Sequence, residues 1–492
     1  MTHHAQNMEK TTRAALKPNP RWLHLLAEVL AFAGIAWAGT RHYALPDAIS
    51  VIASLGVGYA IPRVTYSRTR CKNRAGAILL TIVGLLLVAW ALYCLNTWTQ
   101  GDGYGLRNPY LSSDDGSYYK WAVCHYDGTG RPKRLTFLGF PYMILGTFKL
   151  LGVNVVWIVA INMMMTLLAI VVTGQTAARL MAHRVKCHTP AGIATMAMLG
   201  VALLTYYLNH SVLVLKEPGL YLSISLVGYV FARMAASGKG ERPWRDFALF
   251  TLACVILAGF RGNMLYFVIA GCLMMPWGGR WRENWKFASA LLGISVVFVL
   301  IGNYFSTYDM AQQQNIISGN RMSRIFGIGL AHAPYSGIVG DYFNLPAWRK
   351  LLLLPVTMTV QFATPFPWVY AFRDITLSEV VCRIQLWYLV GLVALFYYLF
   401  MSWRRRETLG AWAWWPVVCF AATAYLMAGN VARYALPFQP LFAIVATYAL
   451  CRLKEEKKHR REFVYYAAAC LVIAVVGLSV AHHLQVAYVS SF

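Results

Sequence analysis

Apolar runs of spanning length recur along nearly the whole chain, separated by short basic or polar breaks. A helix needs about 20 mainly apolar residues to cross the hydrocarbon core of a bilayer. Such runs lie near 22–39, 44–61, 76–95, 152–173, 191–208, 213–232, 246–259, 263–277, 287–303, 383–401, 410–428, 436–452 and 464–483. They number about thirteen by this criterion. The runs 246–259 and 263–277 are short, and read either as one long span or as two joined by a tight turn. Segment 351–371 carries Pro355, Pro365 and Pro367, which favour a broken, re-entrant path over a full crossing. The pattern predicts an all-α fold, a polytopic transmembrane bundle.

The charged breaks orient it. Arg63, Arg68, Arg70, Lys72 and Arg74 follow the second run, and Arg179, Arg184 and Lys186 follow a later one. Arg233, Lys239, Arg242 and Arg245, then Arg280, Arg282 and Lys286, then Arg404, Arg405 and Arg406, and finally Lys454, Lys457, Lys458, Arg460 and Arg461 continue the series. Basic loops collect on the cytoplasmic side. All of these share one side only if 246–277 is a hairpin turning near Arg261-Gly262-Asn263 and 351–371 does not cross. The N-terminus is then inside and the C-terminus outside, with no removable signal peptide expected. Two long polar loops face outward, about 96–135 and about 304–350, the second continuing irregularly through 380. Loops this long in a compact protein are usually functional. The expected organisation is a cytoplasmic N-terminus with an extra helix pair (1–75), a membrane core (76–303), an outer-loop and re-entrant region (304–380), and C-terminal helices (381–492).

Composition agrees. Of 492 residues, 58% are hydrophobic and 13% charged, against about a quarter charged in soluble domains. The net charge of +25 sits in the short loops, which excludes a nucleic-acid reading and fits an inner-membrane protein. The 10 cysteines show no CxxC or Cys/His ligand spacing, so no metal site is predicted, although a divalent metal is not ruled out as cofactor. Cys94 and Cys124 fall near the predicted outer face, where a disulfide is one option.

Several polar residues stand where charge is costly or chemistry is useful. Asp114 and Asp115, in Asp-Asp-Gly-Ser-Tyr-Tyr (residues 114–119), offer a general base just above the membrane. The same sequence is also good solvated-turn chemistry. Lys216-Glu217-Pro218-Gly219 interrupts an apolar run, which reads either as a functional site at membrane depth or as a surface pair. Arg261 is the only charged residue between Asp246 and Arg280. It suits a phosphate at the hairpin turn, or it snorkels to the interface. Arg433, in GNVARYALPFQPLF, has the same two readings. The second outer loop offers Arg321, Arg324, His332, Asp341, Gln361 and Trp368 among rings of the kind that line membrane interfaces.

Taken in order, four segments resemble the GT-C superfamily of polytopic glycosyltransferases, over roughly residues 76–450. They are SSDDGSYYKWA, GFPYMILGTFKLLGVNVVWIVAINMMMTLLAIVVTGQTAARLM, LAGFRGN and RYALPFQPLFAIVA. The likeness is nearest to bacterial members related to protein O-mannosyltransferases and aminoarabinose transferases. It implies a GT-C-like bundle whose active face is extracytoplasmic. It implies a polyprenyl-phosphate-linked sugar as donor and an inverting transfer to an acceptor. Asp114 or Asp115 would be the catalytic carboxylate, and Arg261, Arg433 and Lys216 would bind the donor phosphate. Tyr118, Tyr119, Arg321 and Arg324 would bind acceptor or sugar. Two other functions compete: an O-antigen polymerase or ligase, which would lean on Arg321 and Arg324, and a flippase or transporter, which would need ionisable residues near the midplane.

Overall fold

A computed structural model describes residues 20–111, 113–129, 138–236, 243–275, 281–304, 346–355, 357–358, 394, 397–404, 408–427, 436–456, 459–469 and 472. Among these the chain is helical, with no strand. The helices are α1 (Pro20–Thr40), α2 (Leu45–Ser67), α3 (Arg74–Thr99), α4 (Ser113–Asp127), α5 (Gly139–Leu151), α6 (Val155–Met181), α7 (Pro190–Ala202), α8 (Thr205–His210), α9 (Glu217–Ala236), α10 (Pro243–Arg261), α11 (Met264–Met274), α12 (Trp281–Tyr304), α13 (Ala347–Leu352), α14 (Ala411–Met427) and α15 (Gln439–Glu455). Among the described residues six helical segments are long and apolar enough to cross a membrane: most of α1, then α2, α3, α6, part of α12, and 436–455. The chain is a multi-pass membrane protein.

The bundle is organised around α6. Its apolar residues run all round the helix, and its packing against α2, α7 and α9 buries most of them. That is what a helix without a lipid-facing stripe requires. α1 and α12 lie at the rim and leave large apolar side chains such as Leu30, Trp37 and Leu300 exposed, as lipid-facing helices do. Caps set the helix starts. Asn154 Oδ1 accepts from Val156 N at 2.9 Å at the start of α6, and Thr189 Oγ1 from Gly192 N at 3.2 Å at α7. Asn73 caps α3 through Gly76 N (2.6 Å) and reaches across to Ala191 O (2.8 Å), tying two connections together.

Small residues permit close crossings. A Cβ on Gly58 would lie 2.7 Å from the Ala160 carbonyl, so α2 meets α6 backbone to backbone. The same holds for Gly139 at the start of α5, where a Cβ would lie 2.4 Å from Cα of Gly259 on α10.

The hairpin expected at 246–277 is present. α10 ends at Arg261, a two-residue turn follows, and α11 returns. Phe231 packs near both Phe250 on α10 and Gly271 on α11, so the two helices lie side by side. Three features differ from the sequence reading. The run at 191–208 is not one span, because α7 stops at Ala202 and α8 starts at Thr205. The first outer loop is not all loop, because residues 113–127 form α4, and α5 follows as a second short helix. Cys94 and Cys124 are free thiols, not a disulfide. The predicted re-entrant segment 351–371 and the span at 383–401 fall largely outside the described residues, as does most of 464–483.

Candidate active site

The polar residues at one end of the bundle converge through the irregular stretch between α8 and α9. Asn162 on α6 is wholly buried, and its amide donates to Leu213 O (2.6 Å) and Leu215 O (2.9 Å). Those carbonyls precede α9 and have no helical partner, so a side-chain donor is what the non-helical backbone needs at this depth. The anchored strand of chain then delivers Lys216 and Glu217. Glu217 opens α9, where the positive end of the helix dipole favours a carboxylate, and Pro218 follows where a missing N–H costs nothing.

Glu217 is only 1% exposed and pairs with Arg261 at 3.4 Å. Arg261 is 6% exposed at the last turn of α10. It is therefore buried in protein and paired, not an anchor reaching for the interface. Lys216 is 8% exposed, and its Nζ lies 5.5 Å from the centre of the Tyr118 ring. The reading of Lys216 and Glu217 as a surface pair is set aside, since both are buried and Glu217 is bonded to Arg261.

Tyr118 belongs to α4, and this brings the acidic pair in. Asp114 and Asp115 lie four and three residues before Tyr118, on the same side of the helix. Both are half-buried, in the first turn of α4, where the helix dipole favours carboxylates. Gly116 is needed because a Cβ there would lie 2.6 Å from Leu111 O. The Tyr118 ring meets Phe140 edge-on at 5.4 Å, and Phe140 meets Phe260 at 5.3 Å, beside Arg261. Two buried cations, a buried carboxylate and the acidic turn thus share one neighbourhood. Tyr119 points elsewhere. Its hydroxyl donates to Arg107 O (2.9 Å) and Leu106 O (3.3 Å), and burial holds its phenol above the usual tyrosine range. Val155 N also donates to Leu106 O (2.9 Å), so the loop at 106–107 is pinned to the start of α6.

Arg433, Arg321 and Arg324 lie outside the described residues. Asn162 was visible in sequence only as part of a resembling segment. Its partners are some fifty residues away, at 213 and 215, and no local pattern marks them.

No protein-family model matches the chain, and no curated protein matches it. Among solved structures it is similar to the archaeal oligosaccharyltransferase AglB from Archaeoglobus fulgidus in complex with an inhibitory peptide and a dolichol-phosphate. Identity is 13%, the TM-score is 0.48, and the match covers 85% of this chain and 56% of that one. The Archaeoglobus fulgidus oligosaccharyltransferase in complex with Zn and sulfate gives 14% identity and a TM-score of 0.46, over 83% of this chain and 52% of that one. The likeness is confined to the fold. This chain spans little more than half the length of that protein.

Proposed function

We propose that the protein is a GT-C-type membrane glycosyltransferase that moves a sugar from a polyprenyl-phosphate carrier to an acceptor at the extracytoplasmic face. The observation that carries this is the buried Glu217–Arg261 pair, with Lys216 over the Tyr118 ring one helical turn from Asp114. Buried charges at membrane depth are costly, and a chain retains them where they handle a charged substrate. The end of the bundle follows from the loops. The cluster hangs from Asn162, and the part of α6 from there to the basic connection after Met181 is about 28 Å long at helical rise.

In the proposed reaction the acceptor hydroxyl oxygen attacks the anomeric carbon from the face opposite the leaving group. The bond from that carbon to the phosphate oxygen breaks, its electron pair goes to the phosphate, and configuration inverts. Arg261 and Lys216 stabilise the charge that develops on the departing lipid phosphate, and Arg433 is assigned the same role from the sequence. Arginine carries five donors, so its guanidinium serves Glu217 and a phosphate together. Asp114 or Asp115 takes the acceptor proton. Tyr118, Arg321 and Arg324 contribute to acceptor and sugar binding, and Tyr119 contributes by ordering the loop at 106–107.

The test is transfer from a synthetic polyprenyl-phosphate sugar in detergent, read as released polyprenyl phosphate. Asp114→Asn and Asp115→Asn are made singly and together. Loss of a general base should lower turnover by about 10²–10⁴ in one single variant and in the pair, with unchanged yield of folded protein. Full activity in the double variant refutes the assignment of the base. Donor lipid that crosses a vesicle membrane intact, with no lipid phosphate freed, identifies a flippase instead.

A further inference from the structure

We infer that Cys187, His188 and Cys451 form a binding site for a soft divalent cation of the zinc class, at the end of the bundle remote from the proposed active site. The ligand atoms of these three residues all lie within 4.8 Å of one another. Cys187 and His188 come from the connection between α6 and α7, and Cys451 from the last turns of α15, 264 residues later than Cys187. The Cys187 thiol already leans on α15, donating to Cys451 O at 3.4 Å. Around a tetrahedral zinc, with Zn–S near 2.3 Å and Zn–N near 2.0 Å, ligand atoms sit roughly 3.5–3.8 Å apart. Side-chain rotation of about 1 Å closes that difference.

The backbone is fixed for this purpose. Glu455, one turn beyond Cys451, accepts from the backbone N–H groups of Lys186 and Cys187, the latter at 3.0 Å. The carboxylate thereby clamps the connection onto α15 beside both thiols. The charge balance also favours this ligand set. Arg184, Lys186 and Arg452 line an adjoining cleft of about 430 Å³ together with Cys187 and Glu455. Such surroundings oppose a bare dication, so binding requires the thiols to give up their protons to the metal. Two thiolates and a neutral imidazole around a divalent ion form a centre with no net charge, which those cations tolerate. Three protein ligands leave a fourth position for water. The reaction proposed above uses none of these residues. The site would clip the connection after α6 to the end of α15, so its failure leaves the transferase reading intact.

The test uses the full chain purified in detergent without chelator. Metal analysis should find about one zinc per chain in the wild type, falling below roughly a tenth in Cys187→Ser and in Cys451→Ser. Cys71→Ser, a thiol outside the cluster, should leave zinc content unchanged. Wild-type zinc content in both ligand variants, or none in the wild type after growth in zinc, overturns the inference. Maleimide labelling of the unmodified protein needs no variant: Cys187, the partly exposed thiol of the two, should become reactive only after chelator treatment. Labelling without chelator, or labelling that requires a reductant, overturns it as well, the second in favour of a disulfide.

Discussion

Asn162→Leu is the most direct test of how the buried cluster is held. Leucine keeps asparagine's branched shape and is somewhat larger, so no cavity forms; the change removes the two hydrogen bonds to Leu213 O and Leu215 O, with a smaller packing cost added. In membrane proteins interhelical side-chain hydrogen bonds average about 0.6 kcal/mol and reach about 1.7. The low average arises because the freed groups find other partners. Here the acceptors are backbone carbonyls of a non-helical stretch beside a fully buried side chain, and a leucine offers them no donor. The upper part of the range applies to both bonds, giving a loss of about 2–3 kcal/mol. Reversible unfolding in mixed micelles, followed by far-ultraviolet circular dichroism, reads this directly. The same variant should weaken binding of a polyprenyl phosphate at least about tenfold, since 1.4 kcal/mol of misplacement of Lys216 and Arg261 suffices. A loss below about 0.5 kcal/mol, with unchanged lipid-phosphate binding, would refute the idea that Asn162 holds the cluster in place.

Other outcomes follow from the same geometry. Arg261→Met leaves the Glu217 carboxylate buried without its cation and should cost about 3–5 kcal/mol, while Arg261→Met with Glu217→Leu should recover most of that stability without recovering lipid-phosphate binding. Unfolding midpoints and binding measured on the same preparations check both halves. Gly139→Val drives a side chain into the Gly259 backbone and should destabilise by more than about 1–3 kcal/mol, or prevent accumulation of folded protein, whereas Gly146→Ala, which meets nothing within 4 Å, should be mild. The raised pKa of Tyr119 sets a pH dependence. The folded state keeps the phenol neutral, so its contribution is complete below pH 10.0, the ordinary tyrosine value, and is lost as pH rises above it. Tyr119→Phe should flatten the alkaline side of the stability–pH curve, and an unchanged slope would show that the hydroxyl is not held as described.

How much of this was legible in the sequence varies by element. Spans such as 76–95 and 152–173 were plain from hydropathy, because a bilayer demands long apolar runs whatever the packing. The hairpin at Arg261 was legible from loop charge alone. The helix at 113–127 was not. Asp-Asp-Gly-Ser has the chemistry of a turn, yet the aspartates sit in a helical first turn and Gly116 is there for its approach to Leu111. Its low hydrophobicity hid it from a search tuned to membrane spans. Individual site residues were visible because charge in an apolar run is conspicuous. Their pairing was not, since Glu217 and Arg261 are 44 residues apart and no periodicity links them. Cys187, His188 and Cys451 form no motif for the same reason.

The bare contact between Gly139 and Gly259 has a mechanical consequence. With no side chain between the two backbones, the segment carrying Phe140 has no room to move closer to the end of α10. A guest that pushes that segment toward α10 would therefore push the end of the helix that carries Arg261. Arrival of the molecule to be modified and the grip on the departing carrier would then be geared together, so the two substrates should show mutual dependence in their steady-state kinetics.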